Sequence, residues 1–244
     1  MILTSLAVAL LAQRSAFEVA SIRPTGPDER CGIIEPLPGG GLRVCGLALK
    51  TVVTWAYDVQ DYQIVGGPSW IEKDAWDILA KPPADIAQSA PAEYEKMTAP
   101  QQAAYSKLVR SRLQLLLAER FHLQLRHEMR EQTAYALMPA KGGPKMKESA
   151  GGMIHRGRGE IVSRGANMES LARFLAVDLR RPVANETNLA GIYEFTPQWT
   201  PDNTPDASGP SIFTAIEEQL GLRLEARKAP VETLVIEKAD RPEN

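Results

Sequence analysis

Residues 113–138 read LQLLLAERFHLQLRHEMREQTAYALM, and residues 212–237 read IFTAIEEQLGLRLEARKAPVETLVIE. The second stretch follows the first at a constant spacing of 99 residues without a gap. Few residues are identical, but the apolar positions coincide: Leu117 with Ile216, Phe121 with Leu220, Leu123 with Leu222, Leu125 with Leu224, Tyr135 with Leu234, and Leu137 with Ile236. This agreement is typical of two copies of one supersecondary unit. It predicts a helix followed by a β-hairpin in each copy.

The segments that precede the two copies also match each other. In the first, alternating residues predict strands at 17–24 and 42–45, a helical stripe begins at Leu49, and short strands are predicted at 63–65 and 76–80. In the second, residues 159–164 predict a strand, and a matching helical stripe begins at Met168.

The sequence therefore predicts an α+β fold of two pseudo-repeated halves. Each half is expected to be an antiparallel sheet with two helices on one face, built from αββ–αββ units, because an alternating strand has one apolar side to cover. The expected organisation is a signal peptide at residues 1–16, a first half at 17–140, a linker at 141–158 rich in Gly and Lys, and a second half at 159–240.

The N-terminus carries the only targeting signal that the sequence suggests. Residues 2–12, ILTSLAVALLA, form an apolar run that is too short to span a bilayer and is followed by small and polar residues. A secretory signal peptide is the favoured interpretation, although no Lys or Arg precedes the run, and a buried N-terminal strand or helix is the alternative. We therefore expect a periplasmic or secreted protein with no transmembrane segment in the mature chain.

The two cysteines are consistent with an exported protein. Cys31 and Cys45 flank GIIEPLPGGGLRV, which is rich in Pro and Gly and would fold back as a hairpin. In an oxidising compartment a disulfide across this loop would stabilise the fold by about 3 kcal/mol. Two unpaired thiols are the alternative, since cytosolic cysteines usually stay reduced.

Composition and motifs limit the chemistry that the chain can be expected to perform. A net charge of −2 and a pI near 6.0 give no electrostatic reason to expect a nucleic-acid partner. His127 begins the run HEMRE, which has Glu131 where a zinc-peptidase helix needs its second histidine. Nucleophile-elbow and phosphate-loop motifs are absent from the sequence. We predict no catalytic residue, no metal and no cofactor.

A contact surface for the partner is predicted from three residues, Trp70, Asp58 and Asp61. Trp70 follows GGPS and could be exposed, whereas Trp55, Tyr57 and Trp76 fall on patterns typical of a core. Asp58 and Asp61 add acidic groups nearby in sequence. Paired carboxylates can also serve acid–base catalysis, although Asp residues at a helix end and in a turn are a commoner explanation.

Several blocks resemble a known family. They include FEVASIRP at residues 17–24, LALKTVVTWAYDVQDYQIVGGPSWI at 47–71 and GIYEFTPQWTPD at 191–202. These blocks are similar to exported proteins of unknown function that are greatly expanded in soil Acidobacteria. In some members a similar region looks like the outer part of a membrane-bound, antibiotic-sensor-type metallopeptidase. The resemblance implies a secreted or periplasmic location and would suit a sensing or docking role, but it supplies no catalytic residues.

The sequence thus favours an exported, non-catalytic binding or sensing module that engages a protein or peptide partner in the cell envelope. An open edge strand would offer such a partner unpaired backbone groups. The competing hypothesis is a cell-envelope hydrolase whose carboxylates are brought together only by the fold.

Overall fold

The computed structural model describes residues 16–26, 31–89, 97–201 and 209–242. The predicted signal peptide, residues 1–16, lies outside the described residues except for Ala16. The chain forms two compact units. Unit 1 comprises the residues up to Glu128 together with those from Thr233 onward, and unit 2 comprises Met129–Glu232.

Unit 1 contains an antiparallel sheet of four strands. These are β1 (Val19–Pro24), β2 (Ile33–Leu37), β3 (Gly41–Ala48) and β5 (Ala75–Lys81), in the order β1-β5-β3-β2, and a short strand, β4 (Ile64–Gly66), precedes β5 in sequence. Alternate residues of β3 and β5 are buried, because successive side chains of a strand point to opposite faces. The buried residues are Leu42, Val44, Trp76, Ile78 and Ala80.

The helices of unit 1 are α1 (Leu49–Tyr57), α2 (Ala84–Ser89) and α3 (Ala99–Arg120). In α1 the residues Leu49, Val52, Val53 and Ala56 are buried, as the predicted helical stripe requires. In α3 the apolar face that packs into the same core consists of Tyr105, Val109, Leu113, Leu116 and Leu117. The core of unit 1 is thus formed by buried residues of α1, α3 and the sheet.

Unit 2 repeats this arrangement. Its antiparallel sheet has the strands β7 (Lys147–Glu148), β8 (Ile154–Gly157), β9 (Glu160–Ala166) and β11 (Tyr193–Phe195), in the order β7-β11-β9-β8. The remaining elements are α4 (Met168–Leu179), β10 (Val183–Asn185) and α5 (Ile212–Leu220). The two strand orders correspond position by position, with β1, β5, β3 and β2 equivalent to β7, β11, β9 and β8. The predicted α+β fold of repeated halves is confirmed.

The hairpin predicted after the helix in each copy is wrong. The chain instead forms one long strand after each helix, β6 (Gln124–Pro139) after α3 and β12 (Leu222–Lys238) after α5. Residues 124–138 contain no Gly, Pro, Asn or Asp to form a tight turn, so the strand continues. In β12 Pro230 lies inside the strand without ending it.

The long strands form parallel pairs that the sequence does not anticipate. In unit 1, β4 pairs in parallel with β12 through Ile64 opposite Leu234. In unit 2, β10 pairs in parallel with β6 through Val183 opposite Tyr135. Each short strand therefore pairs with the long strand of the other copy, and unit 1 is completed by a segment from near the end of the chain. The predicted sequence boundaries at 140 and 159 stay a prediction.

The predicted disulfide joins Cys31 and Cys45 and is confirmed, with the two Cα atoms 5.6 Å apart. It lies at the open end of the β2–β3 hairpin, where Ile33 is opposite Cys45. At the closed end, Pro38–Gly40 forms a short 3-10 turn in which Gly39 and Gly40 have positive φ angles of 77° and 83°.

Among the described residues no helix combines the length and hydropathy of a membrane-spanning segment.

Candidate functional site

An open groove lies in unit 1 between the C-terminal end of α1 and residues 102–114 of α3. We call it the α1–α3 groove. Its volume is about 680 Å³, within the range of small-ligand pockets. The lining comes from residues 56–58 of α1 and its end, and from seven residues of α3: Gln102, Ala103, Ser106, Lys107, Arg110, Ser111 and Gln114.

The α1 side of the groove is fixed by the way this helix ends. Asp58 follows the last turn with φ 55° and ψ 41°, the left-handed conformation that commonly terminates a helix. The side-chain amide of Gln114 donates a hydrogen bond of 2.7 Å to the carbonyl oxygen of Ala56. This carbonyl is in the last turn, where helix carbonyls lack an intrahelical partner. The groove wall is therefore tied to α3 by a specific polar contact.

Arg110 joins both walls of the groove. Its Nη1 atom lies 2.6 Å from Oδ2 of Asp58, and its guanidinium carbon lies 5.3 Å from the ring centroid of Trp55. A guanidinium above an indole face is attracted by the ring quadrupole. The Asp58 side chain is 73% exposed, so this ion pair is screened and contributes little stability. Its main effect is to hold Asp58 and Arg110 in place at the mouth of the groove.

The remaining lining is polar and can both donate and accept hydrogen bonds. Tyr57 is half-buried, and this burial raises the pKa of its phenol above the usual value. Tyr57 therefore stays protonated near neutral pH and can donate a hydrogen bond. Lys107 supplies an exposed ammonium, while Ser106 and Gln102 supply hydroxyl and amide groups. Such a lining suits a ligand with several amide groups.

Asp61, a predicted site residue, lies outside the lining of this groove. Its carboxylate is 3.1 Å from Nζ of Lys50, which also contacts Glu72 at 3.0 Å. Burial lowers the pKa of Lys50, but hydrogen bonds to Glu72 and Asp61 outweigh it, so the pKa is raised overall. Lys50 therefore remains charged and connects α1 to the segments that contain Asp61 and Glu72.

Trp70 is half-buried and packs on the core of unit 1. Its ring stacks on Phe121 at a centroid distance of 6.5 Å and meets Trp76 edge-on at 6.2 Å. The guanidinium of Arg241 lies 5.1 Å from the Trp70 ring centroid. The structure therefore places Trp70 in an aromatic cluster, apart from the groove lining that contains Asp58. A ligand-binding role for Trp70 and Asp61 stays a prediction.

Asp74 and Asp77, two further acidic residues close together in sequence, have structural partners. Asp77 accepts hydrogen bonds from Thr25 Oγ1 and the Gly46 amide, both at 2.9 Å, and lies 3.1 Å from Arg23. Asp74 pairs with Arg241 at 2.8 Å. Within the described residues no group of three or more His, Cys, Asp or Glu side chains is placed to hold a metal ion.

Sequence reasoning misses the α3 half of the groove. Gln102, Ser106, Arg110 and Gln114 recur at every fourth position and therefore lie along one row of the helix. This polar row is a signal that the sequence contains. It is easily overlooked because the helix has apolar residues on more than one side, including exposed Leu108 and Leu115.

The chain is thus an α+β protein built from two repeated halves, with a disulfide and an open polar groove. It belongs to the DUF3738 family, described as proteins of unknown function, whose model matches residues 50–239. No curated protein and no solved structure matches the chain. The predicted resemblance to a family of unknown function is confirmed at this level.

Proposed function

We propose that the protein is an exported, non-catalytic binding or sensing module that engages a polypeptide partner in the cell envelope through the α1–α3 groove. The observation that carries the proposal is the groove itself, which is open and has a volume of about 680 Å³. Its lining combines donors and acceptors along one row of α3. An extended polypeptide presents amide groups at regular intervals, and these groups can hydrogen-bond with polar side chains of this kind.

The charged residues at the mouth of the groove would orient the partner. Asp58 and Arg110 present opposite charges 2.6 Å apart, and Lys107 adds a cation further along α3. Charges at the rim of an interface favour correct orientation and speed association more than they add affinity. Asp58 is the one predicted site residue in this lining; Asp61 and Trp70 would act as secondary contacts outside it.

An extracytoplasmic location is supported by the Cys31–Cys45 bond, because structural disulfides persist mainly in oxidising compartments. The similarity to exported proteins of Acidobacteria supports the same location. The similarity of some relatives to the outer part of sensor-type metallopeptidases supports a docking role. The mature chain would thus act as a receptor for a polypeptide outside the cytoplasm.

A cell-envelope hydrolase is the competing function, and it has less support. The carboxylates it would use are Asp58 and Asp61. Asp58 forms an ion pair with Arg110, and Asp61 forms one with Lys50. General acid–base catalysis needs carboxyl groups that converge on the same substrate. Asp61 lies outside the groove lining that contains Asp58, so the two carboxylates do not converge on one pocket.

The proposal is tested by filling the groove. Ala103→Trp would place an indole in the lining, while Ala118→Trp adds the same group to an exposed position of α3 outside it. We expect the native protein and A118W to retain the same polypeptide from an envelope extract, quantified by mass spectrometry, and A103W to lose it. Equal retention by A103W would overturn the proposal. Turnover of purified cell-envelope polymer by the native protein would instead support the hydrolase.

A further inference from the structure

The equivalent edge strands β2 and β8 differ in whether their outer edge is closed to pairing with another strand. In unit 1, β2 ends its sheet, and this edge contains Pro36, which has no amide hydrogen to offer. The carbonyl oxygen of Leu37 already accepts a 2.6 Å hydrogen bond from the Tyr105 hydroxyl. Proline and a covering side chain are common means of closing a sheet edge. In unit 2, the equivalent strand β8 has no proline.

The hydrogen-bond register shows which groups of β8 face outward. The amide of Arg164 donates to the carbonyl of Met153 at 3.0 Å, so these residues form a hydrogen-bonded pair of the β8–β9 ladder. Bonded and non-bonded pairs alternate in an antiparallel ladder, so the amide and carbonyl groups of Ile154 and Arg156 point away from β9. In the described part of the chain these outward groups have no hydrogen-bond partner.

The surroundings of this edge are positively charged. Arg156 pairs with Asp178 at 2.8 Å, which brings the C-terminal end of α4 against β8. Arg158 follows β8, and Arg180 and Arg181 follow α4; all three are exposed and form no ion pair with another described residue. The nearby acid Glu160 is hydrogen-bonded by Gln198. The excess positive charge favours a partner with carboxylates.

We propose that β8 is a docking edge for an acidic, extended polypeptide segment. The segment adds as a further strand, exchanging backbone hydrogen bonds with Ile154 and Arg156, while its carboxylates face Arg158, Arg180 and Arg181. Met153, 81% exposed at the start of this edge, supplies an apolar contact. Backbone pairing gives such a complex its affinity, and the charges select an acidic sequence. This site is separate from the α1–α3 groove in unit 1.

The role of the Arg156 amide as a backbone donor is tested by comparing the variants Arg156→Pro and Arg156→Ala. Both variants lose the ion pair to Asp178, but only proline also removes the outward amide hydrogen. The probe is a synthetic, end-blocked peptide of alternating glutamate and valine, with affinity measured by fluorescence anisotropy. We expect R156P to bind about tenfold more weakly than R156A, the effect of one lost intermolecular hydrogen bond. Equal affinities of two folded variants would overturn the proposal.

A second measurement needs no change in the protein and so does not depend on the folding of R156P. The same peptide is N-methylated at one or the other set of alternate residues. A docked strand points only one set of amides toward β8, so one methylated peptide should lose binding and the other should keep it. Slowed hydrogen exchange of the Ile154 and Arg156 amides would support the same conclusion. Equal binding of both methylated peptides would overturn it and indicate attraction by charge alone.

The charge requirement is tested with a peptide of alternating lysine and valine, which should not bind. Arg158→Glu should weaken binding of the glutamate peptide, whereas A103W, which fills the groove of unit 1, should leave it unchanged. Loss of binding in A103W would show that the peptide occupies the groove, and would overturn the assignment to β8. Equal binding of lysine and glutamate peptides would also contradict it.

Discussion

Arg112 of α3 donates a hydrogen bond from Nη1 to the carbonyl oxygen of Gly40 at 3.1 Å, joining residues that are 72 positions apart in sequence. Arg112 is only 2% exposed, and burial lowers the pKa of its guanidinium. A β-carbon at residue 40 would lie 2.5 Å from the same Nη1 atom. The glycine is therefore required both by its φ of 83° and by the space that the arginine occupies.

Gly40→Ala is expected to lower the free energy of unfolding by about 3 kcal/mol, from backbone strain together with displacement of a buried side chain. Gly32→Ala is the matched control. Gly32 also has a positive φ, of 63°, but a β-carbon there would meet no described atom within 4 Å apart from its chain neighbours. The control should cost only about 1 kcal/mol. Urea unfolding measures both, and equal losses would contradict the role assigned to Arg112.

Tyr105 supports the same turn through its hydroxyl group. The hydroxyl accepts from the Gly40 amide at 2.8 Å and donates to the Leu37 carbonyl at 2.6 Å. Tyr105→Phe leaves two backbone groups without this partner and should destabilise unit 1 by about 2 kcal/mol. Tyr57→Phe in the groove is the control, with an expected change below about 0.5 kcal/mol. A destabilisation of Y57F as large as that of Y105F would contradict this prediction.

The Cys31–Cys45 disulfide closes a loop with a sequence separation of 14 residues. Replacing both cysteines by serine should lower the free energy of unfolding by about 3 kcal/mol in the loop-entropy model. The measurement is urea unfolding of the oxidised protein, of the reduced protein and of the double variant. A non-reducing peptide map of protein purified without a reductant that lacks the linked fragment would contradict the bond.

The stability of unit 2 should depend on pH through Asp178. Burial raises the pKa of its carboxyl above the usual value, although the hydrogen bond and charge of Arg156 act in the opposite direction. Below the unfolded pKa of about 3.8 the carboxyl is protonated in both states and contributes nothing. As the pH rises, the unfolded state loses its proton first, so ionisation favours unfolding.

Asp178→Asn removes this ionisation. We expect the stability of D178N relative to the native protein to be higher at pH 7 than at pH 3, as measured by urea unfolding at both values. Glu218→Gln, at an exposed position on α5, controls for the loss of one negative charge. A relative stability of D178N that falls from pH 3 to pH 7 would contradict the direction of this shift.

Much of the fold can be predicted from the sequence because its strongest signals are local and periodic. The apolar stripe from Leu49 to Ala56 requires a helix, and the alternation in Ala75–Lys81 requires a strand with one buried face. The spacing of the two copies identifies the duplication. Cys31 and Cys45 indicate their own pairing, since the residues between them favour a hairpin.

The parts that escape prediction depend on long-range pairing. Ile64–Gly66 and Val183–Asn185 are only three residues long, and no pattern of that length identifies a partner strand. The continuous β6 is predicted wrongly as a hairpin because its length exceeds that of an ordinary strand. In the groove, Arg110 is identified as a site residue only when α3 is placed beside Asp58.

The pairing of β4 with β12 bears on the order in which the protein can fold. Domains usually fold as they are synthesised, beginning from the N-terminus. Here β4 is synthesised early, but it cannot pair with β12 until that later strand has been synthesised, because Ile64 is opposite Leu234. A nascent chain still on the ribosome therefore lacks the last strand of its earliest unit. Unit 1 can therefore be completed only after all of unit 2 has been synthesised.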